Sequence, residues 1–119
     1  MPQLTGRAVG PDVLAAALDD EAVTVLVARD GDAIVGLALL AVYRKLSGVE
    51  GRLEDVVVDE AARGAGTGRA LVEAAIELAR TGGATHLELT TSPRREAANR
   101  LYQRLGFSRR ETNVYRIDL

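Results

Sequence analysis

The sequence predicts one α/β domain, a mixed sheet with a central βαβ unit and antiparallel hairpins to either side. Three observations carry that reading. A valine-rich strand over residues 53–58 runs into a glycine loop, Arg63-Gly64-Ala65-Gly66-Thr67-Gly68-Arg69, which opens an alanine-rich amphipathic helix. A second apolar strand, residues 85–91, follows that helix, and strand, crossover helix and strand in this order form a parallel pair. Upstream, Asp30-Gly31-Asp32 separates two runs of β character, and Asp-Gly accepts the positive φ that a tight hairpin turn requires. At 119 residues the chain is a single domain, residues 1–119, long enough to bury a real core.

Taken in order, residues 11–18 read as a short helix, with Pro11 at a first helical position and Val13, Leu14, Ala17 and Leu18 on one side. Residues 23–29 alternate β-branched side chains, and residues 33–43 form a long apolar run interrupted by Gly36; the two should pair antiparallel. Residues 44–51 are polar and contain glycine, a loop by composition. The strand at 53–58 ends in three valines, which calls for cover on both faces and a place inside the sheet. The helix after the glycine loop gathers Leu71, Val72, Ala75, Ile76, Leu78 and Ala79 on one face. Arg69, Glu73, Glu77 and Arg80 lie opposite at ion-pairing spacings, and Gly82-Gly83 ends the helix. Ser92-Pro93 reads as a cap and first-turn proline for a helix through Leu105, with Ala97, Ala98, Leu101 and Leu105 inward and Gly106 as its stop. Residues 107–109 and 113–117 read as short closing strands.

Composition narrows the function classes. Hydrophobic residues make up 47% and charged residues 27%, ordinary for a globular protein. With no cysteine there is no thiolate nucleophile, disulfide or thiolate metal site, and with His86 as the one histidine an imidazole zinc site is not expected, so no metal is assigned. No signal-peptide pattern or bilayer-length apolar run is present, so the expectation is a cytoplasmic protein with no membrane partner. The net charge of -2 argues against a nucleic-acid partner, which requires a basic face. Charge is divided along the chain: residues 1–59 hold 5 basic and 10 acidic residues, and residues 60–119 hold 10 and 7. That division fits a mixed solvated surface, or a basic half for an anionic cofactor and an acidic half for a cationic substrate.

A helix N-terminus carries unpaired N–H groups and about half a positive charge, and glycines let a phosphate reach those amides. Arg63 and Arg69 bracket the loop and add mobile charge. The competing explanation is that Gly64, Gly66 and Gly68 only make a tight turn and close helix packing. A dinucleotide fingerprint fails because residues 59–63 intervene and the third glycine comes one position early; a P-loop fails because Arg69-Ala70 follows Gly68 where Lys-Ser or Lys-Thr is needed.

Arg63-Gly64-Ala65-Gly66-Thr67-Gly68 resembles the R-x-x-G-x-G signature with which the GNAT superfamily of acyl-CoA-dependent N-acyltransferases holds coenzyme A pyrophosphate. Ala98-Asn99-Arg100-Leu101-Tyr102-Gln103-Arg104-Leu105-Gly106-Phe107 is similar to that family's A-x-x-L-Y-x-x-x-G-F segment. Two motifs in order, with the expected strand and helix between them, make the resemblance specific. It covers residue 23 to the C-terminus.

The resemblance implies a GNAT-type mixed sheet and acetyl-CoA as co-substrate. It implies pyrophosphate binding by the amides from Ala65 to Arg69, and main-chain contacts from Val56, Val57 and Val58 to the pantetheine arm. The Val58 N–H would polarise the thioester carbonyl, as an oxyanion site on a distorted strand does. Tyr102 would be the general acid for the departing thiolate, since a phenol with pKa near 10 is protonated at neutral pH; without the resemblance it reads as an ordinary amphipathic-helix residue. Glu54 and Glu88 are the candidates to accept the amine's proton, against ordered water; Asp55 should face away from Glu54, and His86 is a lesser candidate. Where many members carry Asn, this chain has Arg95 beside Arg94, a pair that would oppose a helix dipole unless it binds cofactor phosphate.

The resemblance also implies that the family's first strand and much of its first helix are missing from this chain. A bare sheet edge would follow, and with it a homodimer, or instability if the chain is a shortened piece. The function implied is acetyl transfer from acetyl-CoA to a small-molecule or peptide amine by direct attack in a ternary complex. The alternative is a coenzyme A-binding module with little or no catalysis.

Overall fold

A computed structural model describes residues 3–4, 7–8, 20–62, 64 and 66–119. Among the described residues there are six strands: β1 (Gln3–Leu4), β2 (Arg7–Ala8), β3 (Val23–Asp30), β4 (Ala33–Lys45), β5 (Gly48–Val58) and β6 (His86–Glu88). A 3-10 turn spans Glu60–Ala62, and the helices are α1 (Thr67–Thr81) and α2 (Glu96–Arg104). The helix expected at residues 11–18 lies outside the described residues. Among the described residues no helix is long and apolar enough to cross a membrane.

The main sheet has the order β3-β4-β5-β6, antiparallel up to β5 and parallel between β5 and β6, while β1 and β2 pair separately. This is the predicted mixed sheet, with β5-α1-β6 as its βαβ unit. The Asp30-Gly31-Asp32 signal makes the expected hairpin, with Asp30 opposite Ala33 and Gly31 at φ 60°.

The stretch expected to be a loop, 44–51, is a hairpin instead: β4 runs to Lys45 and β5 begins at Gly48, with Lys45 opposite Gly48. Its polar residues belong to strand faces. Tyr43 lies opposite Glu50 and its hydroxyl donates to the Glu50 carboxylate, while Lys45 Nζ reaches Glu50 Oε1 at 3.5 Å. Charge on alternate strand residues looks like loop composition when read without a pairing partner.

α1 lies across β3, β4, β5 and β6. Leu71, Val72, Ala75 and Ala79 are buried as its spacing predicts, whereas Leu78 is 41% exposed. The helix sits close because Gly36 lies beneath it: a Cβ there would meet Leu71 Cδ1 at 3.0 Å. Ala38, Leu53, Leu71, Val72, Ala75 and Tyr102 form the core, with Val56, Val58, Leu89 and Phe107 packed against it.

Other boundaries differ from the expectation too. β6 stops at Glu88, short of the expected 91. α2 begins at Glu96, because Ser92 and Pro93 make a preceding turn: the Ser92 carbonyl accepts the Arg95 N–H at 3.1 Å and its hydroxyl accepts the Arg94 N–H at 3.3 Å. Arg94 and Arg95 therefore precede the helix, and Ala97 is exposed. The expected closing strands at 107–109 and 113–117 are not formed; residues 107–119 have no regular structure.

Candidate active site

The site is built where β5, α1 and α2 meet. β5 pairs with β6 only through Glu50, Gly51 and Arg52 opposite His86, Leu87 and Glu88. Beyond that point the two segments are no longer paired, and among the described residues no strand pairs with 53–58 on that side. Toward β4, the ladder slips by one residue: Leu39 opposes Glu54 but Leu37 opposes Val57, so β5 carries a bulge, with Asp55 at φ 54°. Strict alternation of Glu54 and Asp55 is thus interrupted by the bulge.

That geometry fixes which amides face outward. The Asp59 N–H bonds the Val35 carbonyl at 2.8 Å across the β4 side. Main-chain groups alternate in direction along an antiparallel strand, so Val57 shares that side and Val56 and Val58 turn their N–H groups to the open edge.

Next to this edge stands the N-terminus of α1. Gly66 is its N-cap at φ 83° with no side-chain cap, and Gly64 has φ 84°. A Cβ on either would meet nothing within 4 Å, so these two glycines serve backbone conformation and open space, not close packing. The Ala70 N–H bonds the Gly66 carbonyl at 3.0 Å, the first bond of the helix, so the amides of Thr67, Gly68 and Arg69 have no partner within α1. A Cβ on Gly68 would lie 3.8 Å from both Val58 Cγ2 and Leu101 Cδ2, tying the loop to β5 and α2. Arg69 pairs with Glu73 at 2.8 Å on the outer surface. Arg63 and Ala65 lie outside the described residues.

Tyr102 is buried in the core, 8% exposed, with its ring edge-on to Phe107 at 5.8 Å. No hydrogen bond joins its hydroxyl to the described residues. Burial raises its pKa above the ordinary 10, and the Arg95 charge pulls the other way. Arg95 is exposed at the N-cap of α2, so the residue expected to meet cofactor phosphate also acts on the candidate acid.

The two candidate bases converge on one residue that sequence reasoning missed. Arg52 Nε donates to Glu54 Oε1 at 2.9 Å, its Nη1 lies 3.9 Å from Glu88 Oε2, and its Nη2 donates to Thr90 Oγ1 at 2.7 Å. Arg52 and Glu88 are also the last paired residues before the strands part. Glu50, Arg52 and Glu54 at a spacing of two were a legible signal of one polar strand face, masked by the loop reading.

At the other end of β5, Glu50 is buried and accepts bonds from Tyr43 and Lys45, with His86 Nε2 2.8 Å from its Oε1. The Tyr43 and His86 hydrogen bonds, helped by Lys45, lower its pKa to about 2 against the cost of burial. The Tyr43 phenol is raised by the same bond. Ligand atoms of Glu50, His86 and Glu88 lie within 4.8 Å of one another, but Tyr43 and Lys45 already engage the Glu50 carboxylate, and the group is an ion-pair network. A separate open cavity of about 360 Å³ lies between β3, β4 and the first turns of α1, and touches the loop at Gly66 and Thr67.

The family described as Acetyltransferase (GNAT) matches residues 5–107. A glucosamine 6-phosphate N-acetyltransferase of Trypanosoma brucei brucei is 38% identical over 89 residues, 72% of this chain and 58% of the relative. The chain thus spans less than two thirds of that relative's length. Among solved structures, an acetyltransferase of Trypanosoma brucei is 31% identical with a TM-score of 0.77, covering 96% of this chain and 83% of the other. An aminoglycoside acetyltransferase from an uncultured soil metagenomic sample is 27% identical with a TM-score of 0.80, covering 97% and 78%.

Proposed function

This chain belongs to the GNAT acetyltransferase family, and from that premise we propose that it transfers an acetyl group from acetyl-CoA to a primary amine by direct attack in a ternary complex. The observation that carries this reading is the approach of the α1 N-terminus, which has no side-chain cap, to Val58 of β5 and to Leu101 of α2, the neighbour of Tyr102.

The amides of Thr67, Gly68 and Arg69, with Ala65 and the Arg63 side chain, bind the pyrophosphate, because a helix N-terminus with no side-chain cap favours an anion. The main chain of Val56 and Val58 aligns the pantetheine arm as an added strand would, while Val57, expected to join them, turns its main chain to β4. The amine nitrogen attacks the thioester carbonyl carbon, and the Val58 N–H stabilises the oxygen as negative charge grows there. The C–S bond then breaks, Tyr102 gives its phenolic proton to the thiolate sulfur, and the proton from nitrogen passes to Glu54, Glu88 or water. A buried site raises the basicity of the thiolate as it raises that of the phenol, which keeps donor and acceptor matched.

The name of the curated relative points to an amino-sugar phosphate as an acceptor to test alongside aminoglycosides, polyamines and peptide amines. A cytoplasmic setting and a homodimer belong to the same proposal. The test is acetylation of an acceptor panel by the chain and its Tyr102→Phe variant, with acetyl-CoA binding measured by calorimetry. Turnover in the parent and its loss in the variant at unchanged cofactor affinity support the reading. Binding without turnover on any amine supports the alternative, a coenzyme A-binding module.

A further inference from the structure

Among the described residues, one buried side-chain polar atom lacks a hydrogen-bond partner, the Thr91 hydroxyl oxygen. A hydroxyl shut away from water without a partner is destabilising, and folded proteins pair nearly all of their buried polar groups, so this one calls for a cause. Thr91 belongs to the stretch that continues β6 without strand pairing, where sequence alternation alone had promised a strand.

Its place in the fold supplies the cause. Pairing of β6 to β5 ends with Glu88 opposite Arg52. Continuing that register puts Leu89 by Leu53, Thr90 by Glu54 and Thr91 by the Asp55–Val56 bulge, across the parting toward which the Val56 and Val58 amides turn. The segment is held from two sides: Arg52 Nη2 donates to Thr90 Oγ1 at 2.7 Å on the polar face, and Leu89 packs against the core that contains Tyr102. Alternation then sends Thr91 to the Leu89 side. Its oxygen is enclosed, yet the residue as a whole is half-buried, so its exposed surface lies on its other atoms. A turn about χ1 to another staggered position brings the hydroxyl out of its enclosure.

We propose that Thr91 is a cofactor-binding residue: its hydroxyl turns from the enclosed position as the acylated pantetheine arm enters the parting, and donates to a carbonyl oxygen of that arm. This rests on the acetyl-CoA reading above and adds to it a side-chain contact from the wall opposite β5. Because the hydroxyl has no partner in the free protein, the bond to the arm forms without breaking one inside the fold. The Arg52–Thr90 bond keeps the backbone in place while the side chain turns.

The test uses the full chain, with thermal melting of the free protein and calorimetric titration of acetyl-CoA, coenzyme A and adenosine bisphosphate, the nucleotide end of coenzyme A without the arm. Thr91→Val keeps the branched shape and removes the hydroxyl. Its melting temperature should hold or rise, while its Kd for acetyl-CoA rises about tenfold, the scale of one hydrogen bond. Affinity for adenosine bisphosphate should not change, and Thr91→Ser should restore most of the acetyl-CoA affinity. An equal loss with coenzyme A places the bond on an amide carbonyl of the arm; a loss confined to acetyl-CoA places it on the thioester carbonyl. A lowered melting temperature in Thr91→Val overturns the proposal, since the hydroxyl would then already be bonded within the fold. Unchanged acetyl-CoA affinity, or the same loss with adenosine bisphosphate, overturns the Thr91 contact while leaving the acetyl-CoA reading standing. A parent chain that does not bind acetyl-CoA overturns both.

Discussion

At the start of β5, side chains do the holding: Glu50 is buried beneath Tyr43, Lys45 and His86, and its two oxygens are engaged. At its end the side chains of Val56 and Val58 merely pack on the core, while the main chain of the same residues stays open. One strand thus carries a closed polar network at one end and, at the other, a backbone edge that pairs with no strand among the described residues, with Arg52 at the point where pairing to β6 stops. The difference separates two tasks. A network that satisfies every donor and acceptor fixes register, and an edge that leaves donors free can bind a ligand only if something else holds the strand in place.

The sharpest way to break this division is at the open end. Tyr102→Phe should lower kcat by about a hundredfold or more, the scale of a positioned general acid, with thermal stability nearly unchanged because the hydroxyl bonds no described residue and the ring still fills the core. A rate within a few-fold of the parent, measured at saturating amine, would remove Tyr102 from the chemistry and leave it a core residue.

The glycine loop separates conformation from access. Gly66→Ala forces an L-residue to φ 83° and should lose about 1–2 kcal/mol of stability. Gly68→Ala meets only ordinary contacts at 3.8 Å, so its melting temperature should hold while acetyl-CoA affinity falls, if the missing Cβ is there to admit a phosphate. Equal cofactor affinity in the Gly68→Ala protein would show that the glycine serves the chain and not a ligand.

The same contrast explains why the two ends of β5 were unequally legible in the sequence. The open end announced itself because its chemistry lies in backbone geometry, and backbone geometry leaves glycines behind: Gly64, Gly66 and Gly68 ahead of an amphipathic helix could be read without knowing any tertiary contact. The closed end could not, because Tyr43, Glu50 and His86 are brought together by a hairpin and a crossover. Until Lys45 is known to oppose Gly48, residues 44–51 look like a solvated loop. The short β6 has a related cause. Residues 89–91 have strand alternation, but strand assignment needs a partner, and β5 has parted from them. The two closing strands failed for the same reason at the C-terminus, where apolar alternation is present and residues 108–119 make no backbone–backbone bond to the described residues.

At the closed end the expected effect is on stability, with no direct part in turnover. The Glu50 pKa of about 2 lies below the ordinary carboxylate value of about 4.3 in an unfolded chain. A depressed folded pKa stabilises fully above the unfolded value, and that contribution drains away as pH falls from about 4.3 toward 2. Glu50→Gln should therefore lower the melting temperature at pH 7 and converge with the parent as the buffer approaches pH 2, with KM for acetyl-CoA unchanged at neutral pH. A constant gap between the two melting curves from pH 7 to 2 would mean that the Glu50 charge does not hold this end.

The smallest expected effect is at Arg95, on the open side with Tyr102. Its charge lowers the Tyr102 pKa against the rise caused by burial, and its exposed position at the N-cap of α2 also suits contact with cofactor phosphate. The two roles separate by what they move. If Arg95 acts on the phenol, Arg95→Ala should shift the alkaline limb of the kcat profile to higher pH, because Tyr102 without a cationic neighbour holds its proton longer. If it also binds phosphate, the variant should bind acetyl-CoA a few-fold more weakly at low salt and lose that difference as salt rises, since an exposed charge is screened over about 10 Å at 0.1 M. An alkaline limb and a salt dependence that both match the parent would assign Arg95 to the solvated surface and leave the tuning of Tyr102 to burial alone.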